Sequence, residues 1–184
     1  MGIARRARAT APLVLVLVLA ACSIATVETP DPAAIPSGSL VPSGDDATGP
    51  IIELGSSNAQ DVGWRYSIYP SGDAWCTQLE TALGTSTGCG DILPSGDAAF
   101  GSVGVMQGDE GRPDIIEGMA TEETFTVWLV ENESQRRFPA TLMPLDEADL
   151  DGVAFVGVPP ADMTVTHLLA MASSGEILET YELP

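Results

Sequence analysis

The chain has 184 residues, 7 basic against 26 acidic, and a formal net charge of −19. Every basic residue is arginine, which excludes lysine Schiff-base chemistry, and the acidic balance argues against nucleic acid and against attraction to an anionic membrane surface. One histidine restricts metal and acid–base chemistry, and 19 glycines with 14 prolines favour turns over long helices.

Residues 1–21 have the three parts of a secretory signal: Arg5, Arg6 and Arg8 with no acid, an apolar run from Ala11 to Ala20, and small residues at its end. The run falls short of the roughly 20 apolar residues needed to cross a hydrocarbon core of about 30 Å, so a permanent membrane span is disfavoured. Leu19-Ala20-Ala21-Cys22 resembles the lipobox of bacterial lipoproteins. That resemblance implies cleavage before Cys22 and acylation of its thiol, the alternative being an ordinary cleaved signal with an incidental cysteine. Two acyl chains, at about 0.8 kcal/mol per buried CH₂, anchor a protein stably where one is marginal. The expected location is the extracytoplasmic face of the cell membrane. A twin-arginine export route is disfavoured because Ala7-Arg8 follows the arginine pair where apolar residues belong.

Residues 22–49 follow as the lipidated cysteine and a tether. Pro, Ser, Gly, Ala and acids dominate, aromatics are absent, and no period persists, a composition expected to stay disordered. Pro-Ser-Gly occurs at Pro36, Pro42, Pro70 and Pro94; the irregular spacing argues against a structural repeat, and the turn chemistry of these residues makes the last two copies turns that punctuate the domain.

Residues 50–184 read as one domain of short strands. Val62-Gly-Trp-Arg-Tyr-Ser-Ile68 alternates, placing Val62, Trp64, Tyr66 and Ile68 on one face, and Pro70-Ser-Gly-Asp73 turns it into a second strand over 74–79. Further strands are predicted at 100–106, 115–119, 125–130, 137–142, 153–158, 164–171 and 177–183, the last two joined by Ser173-Ser-Gly-Glu176. A helical turn or two is expected near 145–150 or just after Cys76. Eight or nine strands separated by turn signals predict an all-β fold, an antiparallel β-sandwich of immunoglobulin-like type.

Cys76 and Cys89 form an even pair once Cys22 is assigned to the anchor. In an exported chain they are expected to form a structural disulfide, contributing on the order of 3 kcal/mol. Their spacing is not the Cys-X-X-Cys of a redox pair, and further zinc ligands are lacking. Gly84-Thr-Ser-Thr-Gly88 matches the hydrolase pattern around Ser86, with His167 downstream, but the pattern needs a strand, a strained turn and then a helix. The sequence around it reads as a polar loop, and His167 reads as a core or edge residue. Asp149, Asp151 and Gly152 fit part of a calcium loop whose twelfth position is Val158, so the bidentate carboxylate is missing. Asp109-Glu110 with Asp114 is a second acidic cluster, read as solvated. No pair of carboxylates is singled out for glycoside hydrolysis. Trp64, Trp75 and Trp128 are core or ligand-platform candidates, Trp75 and Trp128 being the two on the less apolar parities. No catalytic residue, cofactor or metal site is assigned.

Two stretches together, Gly63-Trp-Arg-Tyr-Ser67 with Trp75-Cys-Thr-Gln-Leu-Glu80 and Gly88-Cys-Gly90, then 127–142 with Val153-Ala-Phe-Val156 and Ala172-Ser-Ser-Gly-Glu-Ile-Leu178, are similar to an exported domain of high-GC Gram-positive bacteria. The resemblance spans about residues 60–180 and implies a cysteine-bridged hairpin leading into a sandwich, with no activity attached. The functional expectation is a non-enzymatic envelope lipoprotein acting as an interaction or accessory module. It meets the membrane through Cys22 and meets a protein partner in the envelope. A small-ligand protein, taking sugar, peptide or metal, is the alternative, and a hydrolase the weakest reading.

Overall fold

The computed structural model describes residues 31, 33–38, 47–82, 84–108 and 111–184; the leader and Cys22 lie outside them. Among these residues are twelve strands and no α-helix: β1 (Ile52–Ala59), β2 (Val62–Ser71), β3 (Ala74–Thr81), β4 (Gly84–Gly90), β5 (Phe100–Met106), β6 (Ile115–Ala120), β7 (Thr126–Val130), β8 (Arg137–Pro139), β9 (Thr141–Pro144), β10 (Val153–Gly157), β11 (His167–Met171) and β12 (Ile177–Glu182). They form three four-stranded sheets, ordered β1-β2-β3-β4, β5-β6-β10-β9 and β12-β11-β7-β8, with every pairing antiparallel. The sandwich expected from the turn spacing is present, extended by a third layer.

Alternation along β6 and β10 sets the layering. Ile115, Met119, Ala154 and Val156 pack with Val62, Trp64, Tyr66, Ile68 and Leu79 of the first sheet. The intervening residues Ile116, Ala120 and Phe155 pack with Val127, Leu129, Leu168 and Ala170 of the third. The second sheet is therefore covered on both faces, which is why its two inner strands are apolar on both parities. Phe155 is fully buried, with its ring edge-on to Phe100 at 5.8 Å.

The β2–β3 hairpin turns where expected, Gly72 supplying a φ of 61°, and Gly175, at 87°, does the same between β11 and β12. Three features differ from the sequence reading. β1 is an additional edge strand. The stretch 137–142 is two strands, β8 pairing with β7 of the third sheet and β9 with β10 of the second, so the chain changes sheets at Ala140, whose N–H donates to Val127 O at 2.9 Å. The stretch Gly84–Gly90 is a strand, not a polar loop. Its three glycines carry little strand propensity, and its continuous ladder to β3 overrides that. The helical turn near 145–150 is a 3₁₀ turn, Asp146–Ala148, and the segment after Cys76 continues as strand.

Part of the stretch assigned to the tether lies on the outer face of the first sheet. Asn58 Nδ2 donates to Ala33 O at 2.7 Å, and Arg65 Nη1 donates to Gly38 O at 2.9 Å. Thr48 N–H donates to Pro70 O at 2.9 Å, and Thr48 Oγ1 accepts from Gly72 N–H at 3.2 Å.

Candidate functional site

The β3–β4 ladder brings Cys76 directly opposite Cys89, and the two are disulfide-bonded with Cα atoms 4.1 Å apart. The next pair along the ladder is Trp75 and Gly90. A side chain at Gly90 would meet nothing within 4 Å, so the space beside the Trp75 indole is open. The chain leaving Gly90 through Asp91 and Pro94 lines, together with Trp75, an open cleft of about 270 Å³. Ile92 is buried and ties the loop down: its carbonyl accepts from Ser102 N–H at 2.9 Å. Asp73, from the hairpin turn, and Asp91 stand exposed at the cleft mouth. Of the three tryptophans, Trp64 is core, whereas Trp75 and Trp128 are half-buried.

A second feature was not assigned from the sequence. Glu117 projects from β6 into the interface with the first sheet, where it is 7 % exposed and accepts a hydrogen bond from Tyr66 Oη at 2.6 Å. Burial raises its carboxyl above the ordinary range, and the Tyr66 hydrogen bond pulls the other way. The Tyr66 phenol is raised well above its usual value, first by burial and then by the Glu117 charge. Gly104, opposite Glu117 on β5, leaves room for this carboxylate: a Cβ there would lie 2.5 Å from Oε1. The signal in the sequence was a single acid inside Ile115-Ile116-Glu117-Gly118-Met119-Ala120.

The remaining sequence candidates are dispersed. Ser86 lies within β4, with strand before it and no helix following, so the hydrolase pattern lacks its turn. His167 begins β11 in the third sheet, its Nδ1 3.1 Å from Thr166 Oγ1, and the second sheet separates it from Ser86. Asp149 takes a left-handed φ of 54° to end the 3₁₀ turn, and no group of three or more potential metal ligands occurs among the described residues. Asp114 Oδ1 accepts from Gly108 N–H at 2.9 Å, while Asp109 and Glu110 lie outside the described residues. A shallow acidic hollow of about 420 Å³ runs from Asp97 to Glu122 and Glu123. Beside it, Glu179 accepts from the N–H groups of Ala99 (2.5 Å) and Phe100 (2.9 Å), a tie from β12 to β5. On the surface Arg136 pairs with Asp162 through both guanidinium nitrogens at 3.1 Å, holding that carboxyl below its usual range.

The chain is thus an all-β protein of three antiparallel sheets with one cross-strand disulfide. No protein-family model, curated protein or solved structure matches it.

Proposed function

We propose that the protein is a lipid-anchored component of the bacterial cell envelope, displayed outside the cytoplasmic membrane, that acts as a non-enzymatic interaction or accessory module. The observation that carries this reading is the cysteine arithmetic. The chain has three cysteines, Cys76 and Cys89 are bonded to each other, and the third is Cys22 of the lipobox-like tetrapeptide. A disulfide fits an exported chain. Loss of residues 1–21 removes three arginines and no acid, leaving 4 basic against 26 acidic residues. Such a domain is repelled by an anionic surface, so an acyl anchor is what holds it there. The separation of Ser86 from His167 supports a role without catalysis.

The test is fractionation of cells expressing the full chain with a clickable fatty-acid label. Wild type is expected in the membrane pellet carrying label, and Cys22→Ser in the soluble fraction without it. A Cys22→Ser protein that still pellets removes the anchor. The Trp75 cleft favours one second reading, a small-ligand protein. Saturable quenching of tryptophan fluorescence by a sugar, lost in Trp75→Phe, is the result that would establish it.

A further inference from the structure

A three-sheet protein has six sheet edges, and five of these are blunted. β1 carries a register shift at Glu53/Gly55 and is contacted by the segment at Ala33. β5 is shifted between Phe100 and Val103, and Ser102 is tied to Ile92. β8 and β9 are three and four residues long, each ending in proline. β12 carries Glu179 and Glu182. Short strands, bulges, prolines and charges are how edges are kept from pairing with other chains. β4 has none of them. It is seven residues long, Gly-Thr-Ser-Thr-Gly-Cys-Gly, with neither charge nor proline, paired to β3 without a register shift, and five of its residues are exposed.

The register shows which groups β4 offers. A Cα separation of 4.1 Å marks Cys76–Cys89 as a narrow, non-hydrogen-bonded pair of the antiparallel ladder. Alternation then makes Thr87 and Thr85 members of the same class, opposite Gln78 and Glu80. The N–H and C=O groups of Thr85, Thr87 and Cys89 therefore point away from β3, along an edge that no other strand pairs with among the described residues. The disulfide fixes this edge, and the Trp75 cleft with Asp73 and Asp91 lies at its end.

We propose that β4 is a docking edge for an extended polypeptide segment bearing basic side chains, which adds a fifth strand to the first sheet and places a lysine or arginine against Trp75. Main-chain pairing supplies affinity in strand addition, and pockets for alternate side chains supply specificity. A half-buried indole that shares its cleft with two exposed carboxylates suits a cation. The charge of −19 favours a basic partner over a second copy of this chain. This deepens the interaction reading above by naming where the partner binds.

The test titrates the full chain carrying Cys22→Ser with a short capped peptide of alternating lysine and valine, followed by tryptophan fluorescence and amide hydrogen exchange. Saturable binding that protects the amides of Thr85, Thr87 and Cys89 is expected. Methylating the peptide nitrogens that face β4 is expected to weaken it at least tenfold, as is Thr87→Pro, which removes an outward N–H and spares the ladder to β3. Asp73→Asn combined with Asp91→Asn weakens the lysine peptide and not its glutamine counterpart. Three results overturn the proposal: no saturable binding; binding unchanged by peptide methylation; or a chain that self-associates in sedimentation and becomes monomeric with Thr87→Pro. If Thr87→Pro does not fold, the methylated peptide decides on the unaltered edge. Absence of peptide binding with membrane anchoring intact sinks this inference alone.

Discussion

Tyr66 and Glu117 join the first and second sheets through one buried hydrogen bond, Oη to Oε2 at 2.6 Å. Most of their neighbours are apolar, Trp64 and Ile68 beside the tyrosine and Ile115 and Met119 beside the carboxyl, with the buried Thr77 a polar partner of the phenol. Burial raises the Glu117 carboxyl above its ordinary 4.5, so the fold favours its protonated form. The resulting stabilisation is complete below about pH 4.5 and is lost as pH rises through the folded value. Glu117→Gln stays neutral throughout. Wild type should therefore lose stability relative to Glu117→Gln as pH rises, measured as urea midpoints across that range; a pH-independent difference would refute the account.

Tyr66→Phe removes the donor and leaves the carboxyl in the same apolar setting. At a pH above the Glu117 titration, where the carboxylate is charged, the cost is expected at about 1.5–3 kcal/mol, the range for a hydrogen bond to a charged group. Because the phenol lowers the Glu117 pKa, its loss should move that titration further upward. Carboxyl chemical shifts followed across a pH series would register the displacement.

The disulfide closes a loop with a sequence separation of 13 between Cys76 and Cys89. Replacing both by serine should cost roughly 3 kcal/mol by the chain-entropy account. The loss should concentrate in β4, an edge strand that contributes no residue to the buried core apart from its bond to Cys76. Amide exchange should accelerate at 84–90 before it does at β2, and the intact wild type should weigh two hydrogens less than its reduced form. Equal acceleration in both strands would mean that the bond stabilises the whole sheet.

Gly118 faces Phe155 on the neighbouring strand, and a Cβ there would lie 2.5 Å from Ser102 O and 2.8 Å from the Phe155 ring. The carbonyl belongs to the β5 backbone and cannot swing aside. Gly118→Ala is expected to destabilise by about 1–3 kcal/mol, the cost of overpacking, measured by chemical denaturation. An unchanged midpoint would mean that β5 moves freely against β6.

How much of this was legible in the sequence follows from which physical forces leave a pattern. The alternation through Val62, Trp64, Tyr66 and Ile68 reports a buried face, and all four are core. The turns at Gly72 and Gly175 are local and were readable. β4 was not, because both its faces and its edge are largely exposed and its place is set by β3 and the disulfide. The split of 137–142 was hidden because each half pairs with a strand distant in sequence. Glu117 stood out as an acid in an apolar run, but its partner lies 51 residues away and no spacing rule connects them. Parity misled at Trp75, which shares the core-facing side of β3 with Leu79 and packs against that core, and the open space at Gly90 came only from the register.

Gly63 decides whether the segment 33–38 is held against the first sheet. The backbone of Ala34 and Ile35 lies where a Cβ on Gly63 would be, and Gly63 itself has no left-handed φ, so alanine suits the strand and displaces only the segment. Arg65, two residues on, bonds Glu80 on β3 and donates to Gly38 O, so it ties the same segment to the sheet. Gly63→Ala should release residues 33–38 at small cost to the domain, about 1 kcal/mol or less, since no core side chain is altered. Amide exchange at 33–38 should rise sharply, and a nonspecific protease should cut there faster while the β2 amides keep their protection. Arg65→Ala should loosen Gly38 and also weaken the β2–β3 pair, because Glu80 loses its cation. If Gly63→Ala leaves exchange at 33–38 unchanged, the segment is held by contacts other than this close approach of two backbones.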